Sequence, residues 1–85
     1  MEIDMAFENL DQEIIDMLVE LTGEDELGDY RDIDLFEEEV LDSLGAIEVL
    51  VTIKQRFGVS IAPTELEREE MNTVNKIVDR VRERL

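Results

Sequence analysis

The 85-residue chain contains no cysteine and no histidine. Without cysteine there is neither a disulfide framework nor a thiolate metal site. Without histidine, the commonest general base for a nucleophilic serine is missing. The only lysines are Lys54 and Lys76, and neither forms a Ser-x-x-Lys spacing with Ser43. The glycines form no phosphate-binding loop, and paired carboxylates doing acid–base work would need a cleft that a chain this short has little room for. No apolar run approaches the length of a membrane span, and the N-terminus lacks the basic start and apolar run of a secretory signal. These absences predict a non-enzymatic cytoplasmic protein that does not insert into a membrane.

What is present is negative charge, unevenly placed. Residues 1–42 hold 17 Asp/Glu against one Arg, and residues 43–85 hold 7 of each sign, so the whole net charge of −16 lies ahead of Ser43. Such a field repels nucleic acid and anionic lipid, and it serves either solubility or the steering of basic protein surfaces. Crowded carboxylates should also strain the folded state and make it more stable as pH falls from 7 toward about 5. Hydrophobic content of 44% is nevertheless ordinary for a globular protein. Residues 1–85 therefore read as one small folded domain, expected to be a monomer.

Helical periodicity dominates. Phe7, Leu10, Ile14, Met17, Leu18 and Leu21 step by three and four, and Gly23 follows as a helix stop. A second pattern runs from Ser43 through Ala46, Leu50, Ile53 and Phe57 to Gly58. In "APTELEREEM", Thr64 and Glu67 have capping-box spacing, which predicts a short third helix. Thr73 or Asn72 can cap a last helix carrying Val74, Ile77, Val78, Val81 and Leu85. The expectation is an all-α, four-helix bundle with a short third helix and a long ordered loop between helices one and two.

That loop, residues 23–42, is unusually long for a compact domain and must be held down. Leu27, Tyr30, Ile33, Leu35 and Phe36 are the candidate anchors. Its carboxylates Asp29, Asp32, Asp34 and Glu37 invite a calcium reading, but Leu35 and Phe36 stand where the calcium loop needs glycine. No metal site is expected beyond a loose cloud of divalent ions.

The loop leads into "EEEVLDSLGAIEVL", residues 37–50. Asp42 and Ser43 are both good helix caps, and capping alone would account for them. Helix geometry adds a second feature. At 100° per residue, Ala46, Leu50, Ile53 and Phe57 share one face, whereas Leu44, Glu48 and Val51 share the opposite one, with Ile47 at its edge. Apolar residues opposite a buried stripe call for a partner. Ser43 therefore sits at a helix start beside an apolar strip, as an attachment point read by partner proteins would.

At these residues the sequence resembles the acyl carrier protein superfamily, whose members carry 4′-phosphopantetheine on the serine of an Asp-Ser-Leu segment. The resemblance implies a covalent 4′-phosphopantetheine on Ser43, a thioester cargo, and partner contacts at Asp42, Leu44, Ile47, Glu48 and Val51. Within the superfamily, "LFEEEVLDSLG", "QRFGV", "PTELER" and "NTVNKI" most resemble the D-alanyl carrier proteins of teichoic acid D-alanylation. Fatty-acid carriers usually have an acidic residue where Gly45 stands and more carboxylates on the second helix, where this chain has Lys54 and Arg56. The implied partners are a phosphopantetheinyl transferase, a D-alanine–carrier protein ligase and a membrane-bound acyltransferase. A fatty-acid, polyketide or other amino-acid cargo is the alternative, and an acidic binding module that does not need Ser43 is the alternative of another class. Glu39 stands where the family commonly has glycine, Met71 where it has tryptophan, and Val74 where it has proline.

Overall fold

The computed structural model describes residues 9–85. Three α-helices carry the fold: α1 (Leu10–Thr22), α2 (Ser43–Phe57) and α3 (Val74–Arg84). Isolated 3-10 turns lie at Leu27–Asp29, Pro63–Glu65 and Arg68–Glu70, and there is no strand among the described residues. The all-α class holds, but the four-helix bundle does not.

The expected third helix breaks into two turns, for local reasons. Leu66 between them is extended, with φ −123° and ψ 137°. The Glu65 carboxylate accepts the Ala62 N–H at 2.8 Å, and the Glu70 carboxylate accepts the Glu67 N–H at 2.8 Å. Each turn is thus closed by a side chain reaching back, and Glu67 N–H is taken out of any helical ladder. Only Leu66 and Met71 offer apolar anchorage here, too few to offset the cost of nucleating a helix. Glu65 and Glu69 at i, i+4 add like-charge repulsion.

α1 packs against both α2 and α3 and forms the centre of the core. It buries Leu10, Ile14, Ile15, Met17 and Leu18, facing Val74, Ile77, Val78 and Val81 of α3. α2 contributes Val49, Leu50 and Ile53. Val49 is fully buried although it lay outside the anticipated stripe, while Leu21 and Leu85, both assigned to stripes, are exposed. Phe7 lies outside the described residues. Burial of each of these aliphatic side chains contributes about 1.5–3 kcal/mol. Gly23 (φ 78°) and Gly58 (φ 70°) end α1 and α2 in the left-handed conformation, as their positions implied. Thr73 caps α3, its hydroxyl accepting the Lys76 N–H at 3.1 Å.

The long loop is ordered by hydrogen bonds to the start of α3. Leu35 N–H donates to the Asn72 carbonyl at 2.7 Å, and Asn75 N–H donates to the Arg31 carbonyl at 3.1 Å. Side chains repeat the pairing: Asn72 Nδ2 donates to Asp34 at 2.9 Å and Asn75 Nδ2 to Asp32 at 2.7 Å. Asp11 of α1 joins Arg31 of the loop to Arg82 of α3. Leu27 and Leu35 reach the core and Ile33 and Phe36 pack on its edge, whereas Tyr30 is 51% exposed and stays outside the core. Asp32 and Asp34 are drawn to these separate partners, and no group of potential metal ligands forms among the described residues.

Residues 34–40 form a single helical turn closed at both ends. Asp34 Oδ1 accepts the N–H groups of Phe36 at 3.0 Å and Glu37 at 3.1 Å. At the far end Val40 N–H donates to the Leu35 carbonyl at 2.9 Å and Glu39 N–H to the Phe36 carbonyl at 3.1 Å. This is the Schellman pattern, and it requires a left-handed residue at Glu39, which has φ 60°. A side chain there costs about 1–2 kcal/mol relative to glycine.

Two predictions follow from these ties. Glu39→Gly should raise stability by about 0.5–1 kcal/mol, the relieved strain less the extra unfolded-chain entropy of glycine. Glu39→Ala, which removes the same charge but keeps the strain, should gain less in parallel denaturant titrations; equal gains would assign the effect to charge. The second concerns pH. Asp11 is held below the usual carboxylate range chiefly by its hydrogen bond to Arg31, with Arg82 adding to it. Asp34 is held down chiefly by the Glu37 N–H, then by Asn72 and Phe36. A depressed carboxylate stabilises the fold above its unfolded pKa of about 3.9, and that stability is lost as pH falls through the folded value. Melting temperature should therefore decline as pH falls below about 4. Scanning calorimetry from pH 7 to 3 checks this, and a melting temperature still rising at pH 3 would contradict it.

Candidate functional site

α2 begins where the loop releases the chain. Asp42 is extended, with φ −119° and ψ −174°, and its Oδ1 accepts the Gly45 N–H at 2.7 Å. The cap is therefore Asp42, and Ser43 occupies the first helical position, exposed to solvent. Its hydroxyl is not consumed by capping. The sequence could not separate the two roles, because either residue type caps well. Gly45 has a part that spacing did not reveal. A Cβ there would lie 3.2 Å from Asp42 Oδ1 and 3.4 Å from Leu41 Cδ2, so glycine leaves room for the cap.

The two faces of α2 separate as its periodicity implied. Leu50 and Ile53 are buried, whereas Leu44, Ile47 and Val51 are 69%, 43% and 50% exposed. Glu48 is exposed beside them, and its backbone carbonyl accepts the Thr52 hydroxyl. Ser43 thus stands at the head of an apolar strip that covers no core.

Two hollows meet at Ser43. One is a cleft of about 240 Å³ between α2 and the 3-10 turns, with Ala46, Leu50, Leu66 and Met71 among its walls. The other is bordered by Glu39, Leu41 and Asp42. Phe36, Ser43 and Arg68 line both. The guanidinium of Arg68 lies 4.6 Å from the centroid of the Phe36 ring. Nothing in the sequence marked either residue as part of the site, because they come from the loop and from a turn that meet only in the fold.

This arrangement offers an unencumbered hydroxyl at a helix N-terminus, where the helix dipole and free N–H groups favour an anion. Residues 12–81 match the family model described as "Phosphopantetheine attachment site". The chain belongs to that family. It is 46% identical to the D-alanyl carrier protein of Bacillus velezensis over 72 residues, covering 85% of this chain and 92% of the relative. Similarity to the D-alanyl carrier protein of Lactococcus lactis subsp. cremoris is 42% identity over 73 residues, covering 86% and 92%. For that of Bacillus subtilis it is 40% over 72 residues, covering 85% and 92%. As a member of the phosphopantetheine attachment family the chain is a carrier with a covalent 4′-phosphopantetheine, and an exposed serine hydroxyl at a helix start fits that group. Met71 and Val74, where the sequence departs from the family's usual residues, are both buried and keep the packing apolar.

Capping and attachment are separable by substitution. Asp42→Ala should cost about 0.5–2 kcal/mol, the usual loss for an N-cap. Ser43→Ala, at an exposed position that caps nothing, should stay within about 0.5 kcal/mol of the parent. Urea titrations of both variants decide this, and a larger loss at Ser43 would return the cap to it.

Proposed function

We propose that Ser43 carries the 4′-phosphopantetheine and that the chain acts as one carrier domain for D-alanine in teichoic acid D-alanylation. The observation that carries the reading is the exposed Ser43 hydroxyl at the head of the unpartnered strip Leu44, Ile47 and Val51. Membership of the attachment family supports the chemistry, and similarity to D-alanyl carrier proteins supports the cargo. Ser43 Oγ holds the phosphodiester, and α2 directs its N-terminal dipole at that anion. The bound group supplies the thiol that a cysteine-free chain lacks, and the cargo is held there as a thioester.

The chain's own residues then present the arm rather than react. Leu44, Ile47 and Val51 give partners an apolar contact, Glu48 adds a charge at its edge, and Asp42 keeps the helix start fixed. In this reading a phosphopantetheinyl transferase modifies Ser43, a D-alanine–carrier protein ligase loads the arm, and a membrane-bound acyltransferase receives the aminoacyl group. No helix among the described residues is long and apolar enough to cross a membrane. The carrier meets its acceptor by docking from the cytoplasm.

The experiment is a two-step loading assay read by intact mass. After incubation with a phosphopantetheinyl transferase and coenzyme A, the parent chain should gain one phosphopantetheine and Ser43→Ala none. The product, offered D-alanine, L-alanine, glycine and fatty acids with their activating enzymes, should load D-alanine in preference to the others. Modification of Ser43→Ala overturns the site. Preference for a fatty acid overturns the cargo and leaves the carrier.

A further inference from the structure

Arg68 is anomalous in its charge environment. The other arginines all pair with carboxylates: Arg31 with Asp11, Arg56 with Glu20, Arg80 with Glu83, Arg82 with Asp11, and Arg84 with Glu65. Arg68 has no such partner among the described residues, although Glu67, Glu69 and Glu70 adjoin it in sequence. Asp34, Glu37 and Glu69 border a hollow on one side of it, and none of them reaches ion-pair distance. Its guanidinium instead lies over the Phe36 ring, 4.6 Å from the centroid.

That placement leaves work undone. Stacking on an aromatic ring occupies one face of a guanidinium and leaves its coplanar N–H donors free at the edge. Arg68 lines the same two hollows as Ser43. A planar array of donors matches a phosphate oxygen pair better than a point cation does. A phosphodiester on Ser43 also needs a cation, because Glu39 and Asp42 line the hollow beside it. The helix dipole alone contributes about half a charge.

We infer that Arg68, held over the Phe36 ring, is the chain's binding residue for the phosphodiester of the arm on Ser43. The inference rests on the attachment proposed above and deepens it. It gives Phe36 a role as a platform, and it gives the Pro63–Glu70 segment a role as the wall that brings a cation to the site. A guanidinium that only shielded Phe36 from water would be indifferent to the arm.

The test is nuclear magnetic resonance of uniformly labelled protein before and after complete modification, with intact mass confirming the arm. The Arg68 Nε–Hε cross-peak should shift on modification by more than that of any other arginine. The phosphorus resonance of the modified protein should differ between the parent and Arg68→Gln, with Arg68→Lys in between. Far-UV circular dichroism shows whether Arg68→Gln remains folded; if it does not, the cross-peak of the parent chain decides alone. An unmoved Arg68 cross-peak, in protein whose mass proves the arm is present, overturns the inference. Failure of Ser43 to gain mass at all overturns the attachment instead.

Discussion

Asp34 holds the architecture together at its weakest point. One oxygen accepts two backbone N–H groups of its own turn, and the other accepts Asn72 beside α3. This carboxylate therefore starts the turn that ends at Glu39 and clamps that turn to the end of the chain. Leu35, next to it, is fully buried and donates its N–H to the Asn72 carbonyl. Without this clasp, the half of the loop that leads into α2 would lose its tie to α3, and the entropy of a free segment is large. The direction in which the chain enters α2, and hence the position of Ser43, depends on it. In a chain of net charge −16, Asp32 and Asp34 of the acidic loop are satisfied by amides, and Asp11 of α1 by the arginines on either side of it.

Much of the fold was legible because its signals are local. Apolar spacing and the stops at Gly23 and Gly58 mark α1 and α2, and Asn72 or Thr73 marks the start of α3, where the fold uses Thr73. The third helix was misread for the same reason. Thr64 and Glu67 have capping-box spacing, but the side-chain bonds run instead from the Glu65 carboxylate to Ala62 N–H and from the Glu70 carboxylate to Glu67 N–H, where no Ser or Thr marks the start. Sequence spacing cannot rank such competitors, whereas the lack of an apolar stripe between Leu66 and Met71 could have counted against a helix. Tyr30 shows the converse error: an aromatic residue in a loop looks like an anchor, and only the path of the chain shows it facing water.

The surroundings of Ser43 in the candidate site were legible in outline and not in depth. The exposed strip on α2 follows from helical period alone, which is why Leu44, Ile47 and Val51 fell where they were expected. Val49 also has stripe spacing, three residues after Ala46 and four before Ile53, so helical period places it beside the buried face although the anticipated stripe left it out. The Phe36–Arg68 pair was beyond sequence reasoning altogether, since it joins two irregular segments. Glu39 is intermediate. Its position was conspicuous, but its left-handed backbone becomes meaningful only with the Schellman bonds around it.

The broken third helix has a consequence for how the molecule breathes. A helix resists fraying because each residue's hydrogen bond depends on its neighbours, so it opens as a unit. Two separate 3-10 turns, each closed by one glutamate, have no such cooperativity between them. Segments with few buried apolar contacts and solvent-exposed backbone bonds open at a fraction of the global unfolding free energy. Amides from Thr64 to Glu70 should therefore exchange with solvent by a sub-global route, and those of α1 and α3 only as the whole core yields. Leu66 and Arg68 ride on the loosely held part, so one wall of the cleft beside Ser43 can yield while the helices that fix the serine stay in place.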